Sequence, residues 1–431
     1  MTALPYEESR LTVLSDESAS SRCDGRARDV GPAVRPGRGV ASRRRYRITF
    51  LTVIPSPYQV ELFDGVARHP DLDPTVYYYA ENSPNCRWTP PLLPAYSTIL
   101  PGVAIHALTR CCCLNPSAIH RLRQDSPDLV VVGDYFTLTA QLVMRDLTRR
   151  GVPWVFWGEL PGLNRRSCVG DRLRRFAQQP ILRGAHGVVA IGSRAQTAYR
   201  TLLGDDRPVF NVPYHCDLSA YLAIERPPRT PEQPVRFLCS AQMIHRKGID
   251  VLVRAFVALA RRMPASRPVP MLTLLGEGEE RQRYEALVPA DLRDRVVFRG
   301  FCQPQALPRA FAEADVFVLP SRHDGWGVVV NEAIASGMPV IATEKVGAAH
   351  DLIRPGRNGF VIAADDVAAL EQSMRHCVEH PDELASSGQC SRVIAQDYTV
   401  ERGAQRWHTV CQQILAGRVV SMSPEVEVAA V

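Results

Sequence analysis

The most informative stretch of this chain reads VFVLPSRHDGWGVVVNEAIASGMPVI, residues 316–341. Val316 to Leu319 are an apolar run without alternation, which is typical of a strand buried in a parallel sheet. A loop with two glycines follows, and then a helical pattern over about Val328 to Ser336 that ends at Gly337. A second apolar run closes the stretch. The pattern therefore predicts a strand, a helix and a second strand, as in a βαβ unit.

The loop of this unit has the residue types of a ligand-binding turn. Gly325 and Gly327 allow the backbone to approach a ligand, and the amides at the following helix start favour an anion. Asp324 lies in the loop and Glu332 lies about one turn into the helix, so both carboxylates can face one crevice at different depths. Carboxylates suit hydroxyl groups, such as those of sugars. Spacing alone leaves an alternative open, in which Asp324 caps the helix and Glu332 is solvated.

Length and composition indicate two ordinary globular domains. At 431 residues the chain exceeds the size at which a single core stops growing, and its content of 45% hydrophobic and 22% charged residues is unremarkable for a soluble protein. No apolar run reaches the ~18 residues that span a bilayer and no signal-peptide core precedes the first strand, so we expect a cytoplasmic protein. The twelve cysteines lack the paired spacing of a zinc site or disulfide framework, so we expect reduced thiols and no metal.

The net charge of +6 is unevenly distributed, because eight arginines lie between Arg22 and Arg45. Residues 1–44 are also rich in Ser, Gly and Pro and have no apolar period, so we expect a disordered basic tail. Such a tail could contact anionic lipid headgroups and place the protein peripherally at the inner membrane face. An inert extension, or a start codon placed too early, explains the tail equally well.

Strand and helix patterns alternate along the rest of the chain, which predicts an α/β fold with mostly parallel sheets. Near residue 212 the alternation stops, and prolines crowd the stretch before residue 235, which predicts a linker between two doubly wound sheets. The strands predicted before the linker are Tyr46–Val53, Thr75–Tyr79, Leu129–Val132, Trp154–Trp157 and Gly187–Ile191. Those predicted after it are Val235–Cys239, Met271–Leu275, Val296–Phe298, Val316–Leu319, Met338–Thr343 and Phe360–Ile362.

The stretch from Leu319 to Ile341 resembles the E-x7-E signature region of family 4 glycosyltransferases of the GT-B fold. Asp324 stands where the first Glu is usual, and Glu332 matches the second. The likeness covers residues 46–417, weakly in the first half and strongly in the second. It implies a GT-B architecture of two Rossmann-like domains facing a cleft. It also implies an enzyme that transfers a sugar from a nucleotide-diphosphate sugar to a carbohydrate, lipid-linked or small-molecule hydroxyl acceptor, with retention of configuration, no cofactor and no nucleic-acid partner.

The same resemblance divides the chain into functional parts. It assigns residues 45–212 to an acceptor-side domain, 213–234 to the linker and 235–398 to the nucleotide-sugar donor domain. Residues 399–417 are expected to form a helix that returns to the first domain. Residues 418–431 are expected to be a flexible tail.

The donor contacts are assigned mainly by resemblance. In SAQMIHRKGID, residues 240–250, Lys247 matches a lysine that neutralises the donor pyrophosphate, whereas Gln242 replaces the usual arginine. Whether Arg246 supplies the missing charge is left open, as is a plain solvated basic loop. Asp324 would bind sugar hydroxyls and Glu332 the ribose. The other expected donor contacts are Gly276, Gly278, Gly300, Phe301, Gly325, Trp326, Gly327 and Val328.

The acceptor side offers fewer signals. The sequence IPSPYQ, residues 54–59, stands after the first strand in place of a glycine pair and resembles a branch of the family with a Pro-Tyr loop. Ser56 and Tyr58 are therefore expected in the catalytic crevice. Glu159 follows a predicted strand at the end where open α/β sheets bind ligands, so it is a candidate acceptor-side base, with a surface carboxylate as the alternative.

Two other functions fit the same residues. A nucleotide-sugar enzyme of another kind, such as an epimerase, would consume the donor without an acceptor. A non-catalytic sugar-binding protein would account for the departures from the family pattern at Asp324 and Gln242.

Overall fold

The structure is a computed structural model, and it describes residues 44–82, 88–107, 110–161, 182–204, 207–227, 229–230, 232–264 and 267–421. Of the basic tail expected at residues 1–44, all but Arg44 lie outside these ranges. Residues 422–431 of the expected C-terminal tail also lie outside them.

The first half is built on parallel strands whose apolar residues are buried. The strands of this sheet are β1 (Tyr46–Thr52), β2 (Leu72–Tyr78), β3 (Ser97–Ile99), β6 (Leu129–Val132), β7 (Trp154–Gly158), β8 (Gly187–Ala190) and β9 (Val209–Asn211). A separate antiparallel hairpin comprises β4 (Val103–Ala107) and β5 (Arg110–Leu114). The sheet order is β3-β2-β1-β6-β7-β8-β9. All five predicted strands are present. The hairpin was not predicted, because Leu108 and Thr109 between its strands carry no Gly, Asn or Asp to signal a turn.

The second half forms a six-stranded parallel sheet. Its strands are β10 (Arg236–Ser240), β11 (Met271–Leu275), β12 (Val296–Gly300), β13 (Val316–Leu319), β14 (Val340–Thr343) and β15 (Gly359–Ile362). Their order, β12-β11-β10-β13-β14-β15, is that of a doubly wound Rossmann sheet. The predicted α/β class with two doubly wound sheets is confirmed. The predicted βαβ unit is β13, the helix Val329–Ala335 and β14, which pairs parallel to β13.

Helices connect the strands in both halves. Before β10 they are Pro57–Arg68, Ser117–Asp125, Leu138–Arg150, Ser193–Leu203 and Ser219–Leu222. After β10 they are Ile249–Arg262, Arg281–Glu285, Leu307–Ala312, Val329–Ala335, Gly347–Leu352, Val367–Glu379, Glu383–Ala395 and Val400–Ser421, with short 3-10 turns at His245–Lys247, Ala290–Arg295, Pro304–Ala306 and Gln396–Tyr398. Among the described residues, no helix combines the length and apolarity needed to cross a membrane.

The C-terminal helix Val400–Ser421 packs against the first half. The ring of Trp407 meets those of Phe50 and Trp157 edge-on, with centroids 5.0 and 5.3 Å apart. The helix includes residues 418–421, which were expected to belong to the flexible tail. The described residues from Arg44 to Ser421 belong to one compact unit, and the boundaries assigned to the two domains and the linker stay predictions.

Each sheet has one point where the strand order reverses, between β1 and β6 in the first and between β10 and β13 in the second. Open α/β sheets bind ligands outside the carboxyl ends of the strands at such points. The loop after β10 contains Gln242 and Lys247, and the loop after β13 contains Asp324. The loop after β1 leads into Tyr58. The fold thus places the strongest sequence candidates at the two reversal points.

Candidate functional site

A cavity of about 450 Å³ lies between the two halves. Its wall combines the start of the helix Pro57–Arg68, the linker around Tyr221, and loops and helices of the second half. A concave space of this size can enclose a small organic ligand. The predicted site residues on its wall are Tyr58, Gln242, Gly276, Phe301, Val328 and Glu332.

Lys247 and Asp324, neither of which is on the wall of this cavity, form an ion pair that joins the loops after β10 and β13. The Lys247 Nζ contacts Asp324 Oδ2, Arg246 Nη1 lies 3.7 Å from Oδ1, and the two paired side chains are only 13% and 12% exposed. Burial by itself would raise the pKa of Asp324, but Lys247 and Arg246 hold that pKa below its ordinary value, so the carboxylate is ionised at neutral pH. The residue that caps the following helix is Val328, so Asp324 is not the helix cap.

The loop that carries Lys247 is held against the loop that carries Asp324. Gly248 has a φ of +66°, and a side chain there would overlap the carbonyl oxygen of Pro320, so only glycine fits. The Arg322 amide donates to the Arg246 carbonyl at 2.9 Å. The Arg322 guanidinium also makes two hydrogen bonds of 2.8 Å to Asp250. Two segments 77 residues apart are thereby joined into one rigid site.

Glu159, which directly follows β7, reaches across from the first half to this loop. A side chain at Gly325 would overlap the Glu159 carboxylate, so this glycine is what allows the close approach. The Tyr214 hydroxyl donates to Glu159 Oε1 at 3.4 Å. Burial, and then the charge of Asp324, raises the pKa of Glu159 to about 7. A carboxyl of this pKa can exchange a proton near neutral pH, as a general base must.

Glu332 shares the cavity wall with a second carboxyl, Glu61, which the sequence analysis missed. Burial, and then the charge of Glu61, raises the pKa of Glu332 to about 7, and burial raises that of Glu61 to about 7. The Asp217 amide donates to Glu61 Oε2 at 2.9 Å, and Tyr221 forms a hydrogen bond with Glu332. The available signal was spacing, because Glu61 lies three residues after Tyr58 and so on the same side of the helix.

The two other acceptor-side candidates differ in their positions. Tyr58 lies on the cavity wall with its ring centroid 4.8 Å from that of Tyr214, and burial raises the pKa of Tyr58 to about 12, so the phenol is neutral. Ser56 is 5% exposed and its hydroxyl donates to Gln59 Oε1 at 2.9 Å. Ser56 is therefore buried and stabilises the loop through this hydrogen bond, whereas Tyr58 lines the cavity.

Most of the predicted glycines shape the loops around the cavity. Gly276 has a φ of +127° and lies against the carbonyl of Ala241, and Gly278 lies against that of Met243. Between them, Glu277 lines the cavity and pairs with Arg281, a contact that the sequence did not indicate.

The turn glycines Gly300 and Gly327 have φ values of +78° and +88°, which residues with side chains rarely adopt. Gly300 precedes Phe301, whose side chain is 40% exposed on the cavity wall.

Trp326 differs from the expectation that its side chain binds the donor. It is 1% exposed, and its Nε1 donates to Asn331 Oδ1 at 2.9 Å. The Asn331 side chain in turn donates to the Tyr214 carbonyl at 3.0 Å. The indole therefore packs in the core between the two halves, because its apolar surface is better buried there than exposed in the cleft.

Part of the second half matches a known protein family. Residues 223–392, which include Lys247, Asp324 and Glu332, match the family model described as "Glycosyl transferases group 1". The chain is 32% identical over 226 residues to the 2-deoxystreptamine N-acetyl-D-glucosaminyltransferase of Streptomyces fradiae, covering 49% of this chain and 51% of that protein. It is 30% identical over 187 residues to the lipopolysaccharide core biosynthesis mannosyltransferase LpsB of Rhizobium meliloti, covering 41% and 51%. The matches thus span about half the length of these curated relatives.

Solved structures share the fold over most of the chain. Sucrose-phosphate synthase from Thermosynechococcus elongatus aligns with a TM-score of 0.66 at 21% identity, covering 86% of this chain and all of that one. Anabaena Alr3699/HepE, solved in complex with UDP and glucose, aligns with a TM-score of 0.60 at 19% identity, covering 88% of this chain and all of that one. The predicted GT-B architecture is confirmed, and the predicted resemblance is confirmed at the level of the group 1 segment.

Proposed function

We propose that this protein is a glycosyltransferase that moves a sugar from a nucleotide-diphosphate sugar to a hydroxyl group of a carbohydrate, lipid-linked or small-molecule acceptor. The observation that carries the proposal is the match of residues 223–392 to group 1 glycosyltransferases, since this segment holds Glu332 on the cavity wall and the ion pair of Lys247 and Asp324. The fold shared with a protein that binds UDP and glucose supports a nucleotide-sugar donor. Retention of configuration and independence of metals or other cofactors are part of the proposal.

The donor diphosphate is assigned to the basic loop. Lys247 and Arg246 supply positive charge beside the cleft, where they can stabilise the charge that builds on a leaving diphosphate. Lys247 is paired with Asp324, so a bound diphosphate would compete with this carboxylate for the lysine. Asp324 would then accept hydrogen bonds from the hydroxyls of the transferred sugar.

The acceptor is assigned to the first half. Glu159 lies across from Asp324 and has a pKa of about 7, so in its ionised form it can accept the proton that the acceptor hydroxyl loses. Tyr58 lies on the cavity wall between the acceptor side and the donor pocket, and its neutral phenol can donate a hydrogen bond.

The proposal predicts that a nucleoside diphosphate and its sugar conjugate stabilise the protein and that sugar transfer requires an acceptor. A thermal-shift panel of nucleotides identifies the base, because a ligand at 100 times its dissociation constant adds roughly 2.7 kcal/mol of stability. Donor turnover with and without a hydroxyl acceptor then tests the chemistry. Consumption of the donor without any acceptor indicates an epimerase-like enzyme, and binding without turnover indicates a non-catalytic sugar-binding protein.

Replacing Glu332 by glutamine should weaken nucleotide binding in a pH-dependent way. An ionised carboxylate accepts hydrogen bonds from ribose hydroxyls more strongly than an amide does, so we expect a loss of about tenfold at pH 8. Because the pKa of Glu332 is about 7, part of the advantage disappears at pH 6, where much of the parent carboxyl is protonated. Isothermal titration of the nucleoside diphosphate selected by the panel, at both pH values, measures this.

The phosphate of the nucleotide also titrates between pH 6 and pH 8. Only the difference in affinity between variant and parent therefore reports on Glu332. Glu313→Gln is a matched control, because Glu313 is 42% exposed, pairs with Arg299 and lies away from the cavity. A Glu332→Gln variant that binds the nucleotide as the parent does at pH 8 would remove Glu332 from the ribose site.

A further inference from the structure

Five large apolar side chains are exposed together on the first half. Val103 and Leu114 stand directly opposite each other in the β4–β5 hairpin, so their side chains share one face. They are 62% and 37% exposed. Phe136, Leu138 and Leu142, around the start of the helix Leu138–Arg150, are 45%, 52% and 40% exposed. These five residues are called the apolar patch.

Hydrogen bonds join the hairpin to the helix start. The Asn115 amide donates to Thr139 Oγ1 at 2.8 Å, and the Thr139 hydroxyl donates to the Cys113 carbonyl at 3.0 Å. Leu114 lies between Cys113 and Asn115, and Leu138 precedes Thr139. The two parts of the apolar patch are therefore carried by segments that are hydrogen-bonded to each other.

The helix continues this surface into a basic stripe. Leu138, Leu142, Arg145 and Arg149 are four, three and four residues apart, so they lie along one side of the helix, and all four are exposed. The basic stripe comprises Arg145 and Arg149. Among the described residues neither arginine forms an ion pair, whereas their neighbour Arg150 pairs with Asp146. Both guanidinium groups are therefore available to an anionic partner outside the chain.

The surrounding charge is also positive. The helices Ser117–Asp125 and Leu138–Arg150 pack against each other, and together they contain five arginines against two aspartates. Apolar side chains beside arginines on an exposed helix are the composition of an element that lies at the interface of a bilayer containing anionic lipids. Exposed apolar side chains that lie together and are rimmed by polar residues mark an interaction site.

The apolar patch lies on the same edge of the first sheet as the cleft. β6 is parallel to its neighbours β1 and β7, so the loops that follow these three strands leave from one edge. These loops contain Phe136 after β6 and Glu159 after β7, and the loop after β1 leads into the helix that carries Tyr58. A surface that contacts the apolar patch would thus also lie near the acceptor side of the cleft.

We propose that the apolar patch and the basic stripe dock the first half onto a bilayer that contains anionic lipid. The apolar side chains insert among the headgroups and upper acyl chains, and Arg145 and Arg149 contact lipid phosphates. This proposal does not depend on the proposed transfer reaction, because it concerns a surface outside the cavity.

Co-sedimentation of the full chain with phospholipid vesicles tests the proposal. The parent should bind vesicles of phosphatidylcholine with about 30% phosphatidylglycerol at least fivefold more tightly than vesicles of phosphatidylcholine alone. The reason is that each arginine near an anionic surface raises the affinity roughly fivefold. The double variant Leu138→Ser/Leu142→Ser should weaken binding to the anionic vesicles by about tenfold or more, because two apolar side chains no longer insert. Arg145→Gln/Arg149→Gln should remove most of the preference for the anionic lipid.

The matched control is Val393→Ser, which removes an apolar side chain that is 69% exposed on the second half. This control should bind as the parent does. All variants should keep the melting temperature and nucleotide affinity of the parent, since the altered side chains are exposed and outside the cavity. The residues before Arg44 are the same in every variant, so a difference between variants does not come from them.

Three results would overturn the proposal. The first is equal vesicle binding by the parent and both double variants, which would include the case in which the basic N-terminal residues carry the binding. The second is an equal loss in Val393→Ser. The third is self-association of the parent in sedimentation velocity that is lost in the Leu138→Ser/Leu142→Ser variant, while vesicle binding stays unchanged. That result would assign the apolar patch to a second copy of the chain.

Discussion

Replacing Lys247 by alanine is expected to lower the turnover of the nucleotide-diphosphate sugar by roughly 10- to 150-fold, the equivalent of about 1.5 to 3 kcal/mol for a hydrogen bond to a charged group. The reason is geometric as well as electrostatic. The loop of Lys247 is held by the contacts of Gly248 and Arg322, so the ammonium has a fixed place beside Asp324. The affinity for the sugar diphosphate should fall more than that for the free nucleoside.

The same substitution should destabilise the fold. Asp324 remains buried with Arg246 3.7 Å away but without its closest partner, and removing one member of a buried ion pair costs about 3 to 5 kcal/mol. In the parent, the pKa of Asp324 lies below its unfolded value of about 3.9, so the pair stabilises the fold above that pH and loses this effect as the pH falls through the folded-state pKa. In the variant burial dominates and the folded pKa rises, so stability decreases as the pH rises past about 4. The difference in unfolding free energy between parent and variant should therefore grow from pH 4 to pH 7.

The chain supplies a matched control, because Lys345 is its other lysine. The Lys345 side chain is 50% exposed and pairs with Glu344 at 3.2 Å, so Lys345→Ala should change unfolding free energy and turnover little. The double variant Lys247→Ala/Asp324→Asn should regain most of the lost stability, since no buried charge is left unpaired, but it should not regain turnover. Recovery of both properties would show that Lys247 serves the fold and not the diphosphate.

Replacing Asp324 by asparagine is expected to lower donor turnover by a similar factor of roughly 10 to 150, while the free nucleoside diphosphate binds at least as tightly as to the parent. The proposed partner of the carboxylate is the transferred sugar, which the nucleotide lacks. Removing the carboxylate also frees Lys247 from its ion pair, so the lysine no longer has to exchange one anion for another when the diphosphate binds. Titration of the nucleotide and turnover of its sugar conjugate separate these two effects.

The Asp324→Glu variant tests whether the loop is built around the shorter acid. The extra methylene restores the residue that is usual in the resembling family, but the Asp324 side chain is 12% exposed and the loop is braced by Gly325 against Glu159. The longer side chain should displace the sugar from its reactive position and lower turnover, because reactive geometry is sensitive to shifts of about 1 Å. If Asp324→Asn instead turns over the donor as the parent does, the assignment of this loop to the sugar is wrong.

Much of the fold and the chemistry of the second half follows from local sequence. The apolar run Val316–Leu319, the glycine at 337 and the second apolar run predict the βαβ unit, because strand burial and helix termination depend on residues that are neighbours in the chain. The loop and helix pattern also pointed to Asp324 and Glu332, whereas Lys247 was assigned by its resemblance to the family. The predicted positions of strand ends were less accurate. For example, β2 begins three residues before the predicted start at Thr75.

Other features depend on which distant segments meet. The sequence did not indicate that Lys247 pairs with Asp324, that Glu159 contacts Gly325, or that Glu61 shares a wall with Glu332, since each of these contacts joins different parts of the chain. Tyr221 lies in the linker, where no periodicity marks it as a cavity residue.

Trp326 shows the limit most directly. Its position between two glycines of a ligand-binding loop indicates exposure, but packing of the two halves offers the indole a buried site and a hydrogen-bond partner in Asn331. The sequence by itself determined the class of the fold and most of its strands, because those follow from local spacing and composition, whereas β3, β9 and the β4–β5 hairpin were not predicted. Only the tertiary structure decided which side chains face the cavity, which neutralise one another and which fill the core, because burial and pairing depend on contacts across the cleft.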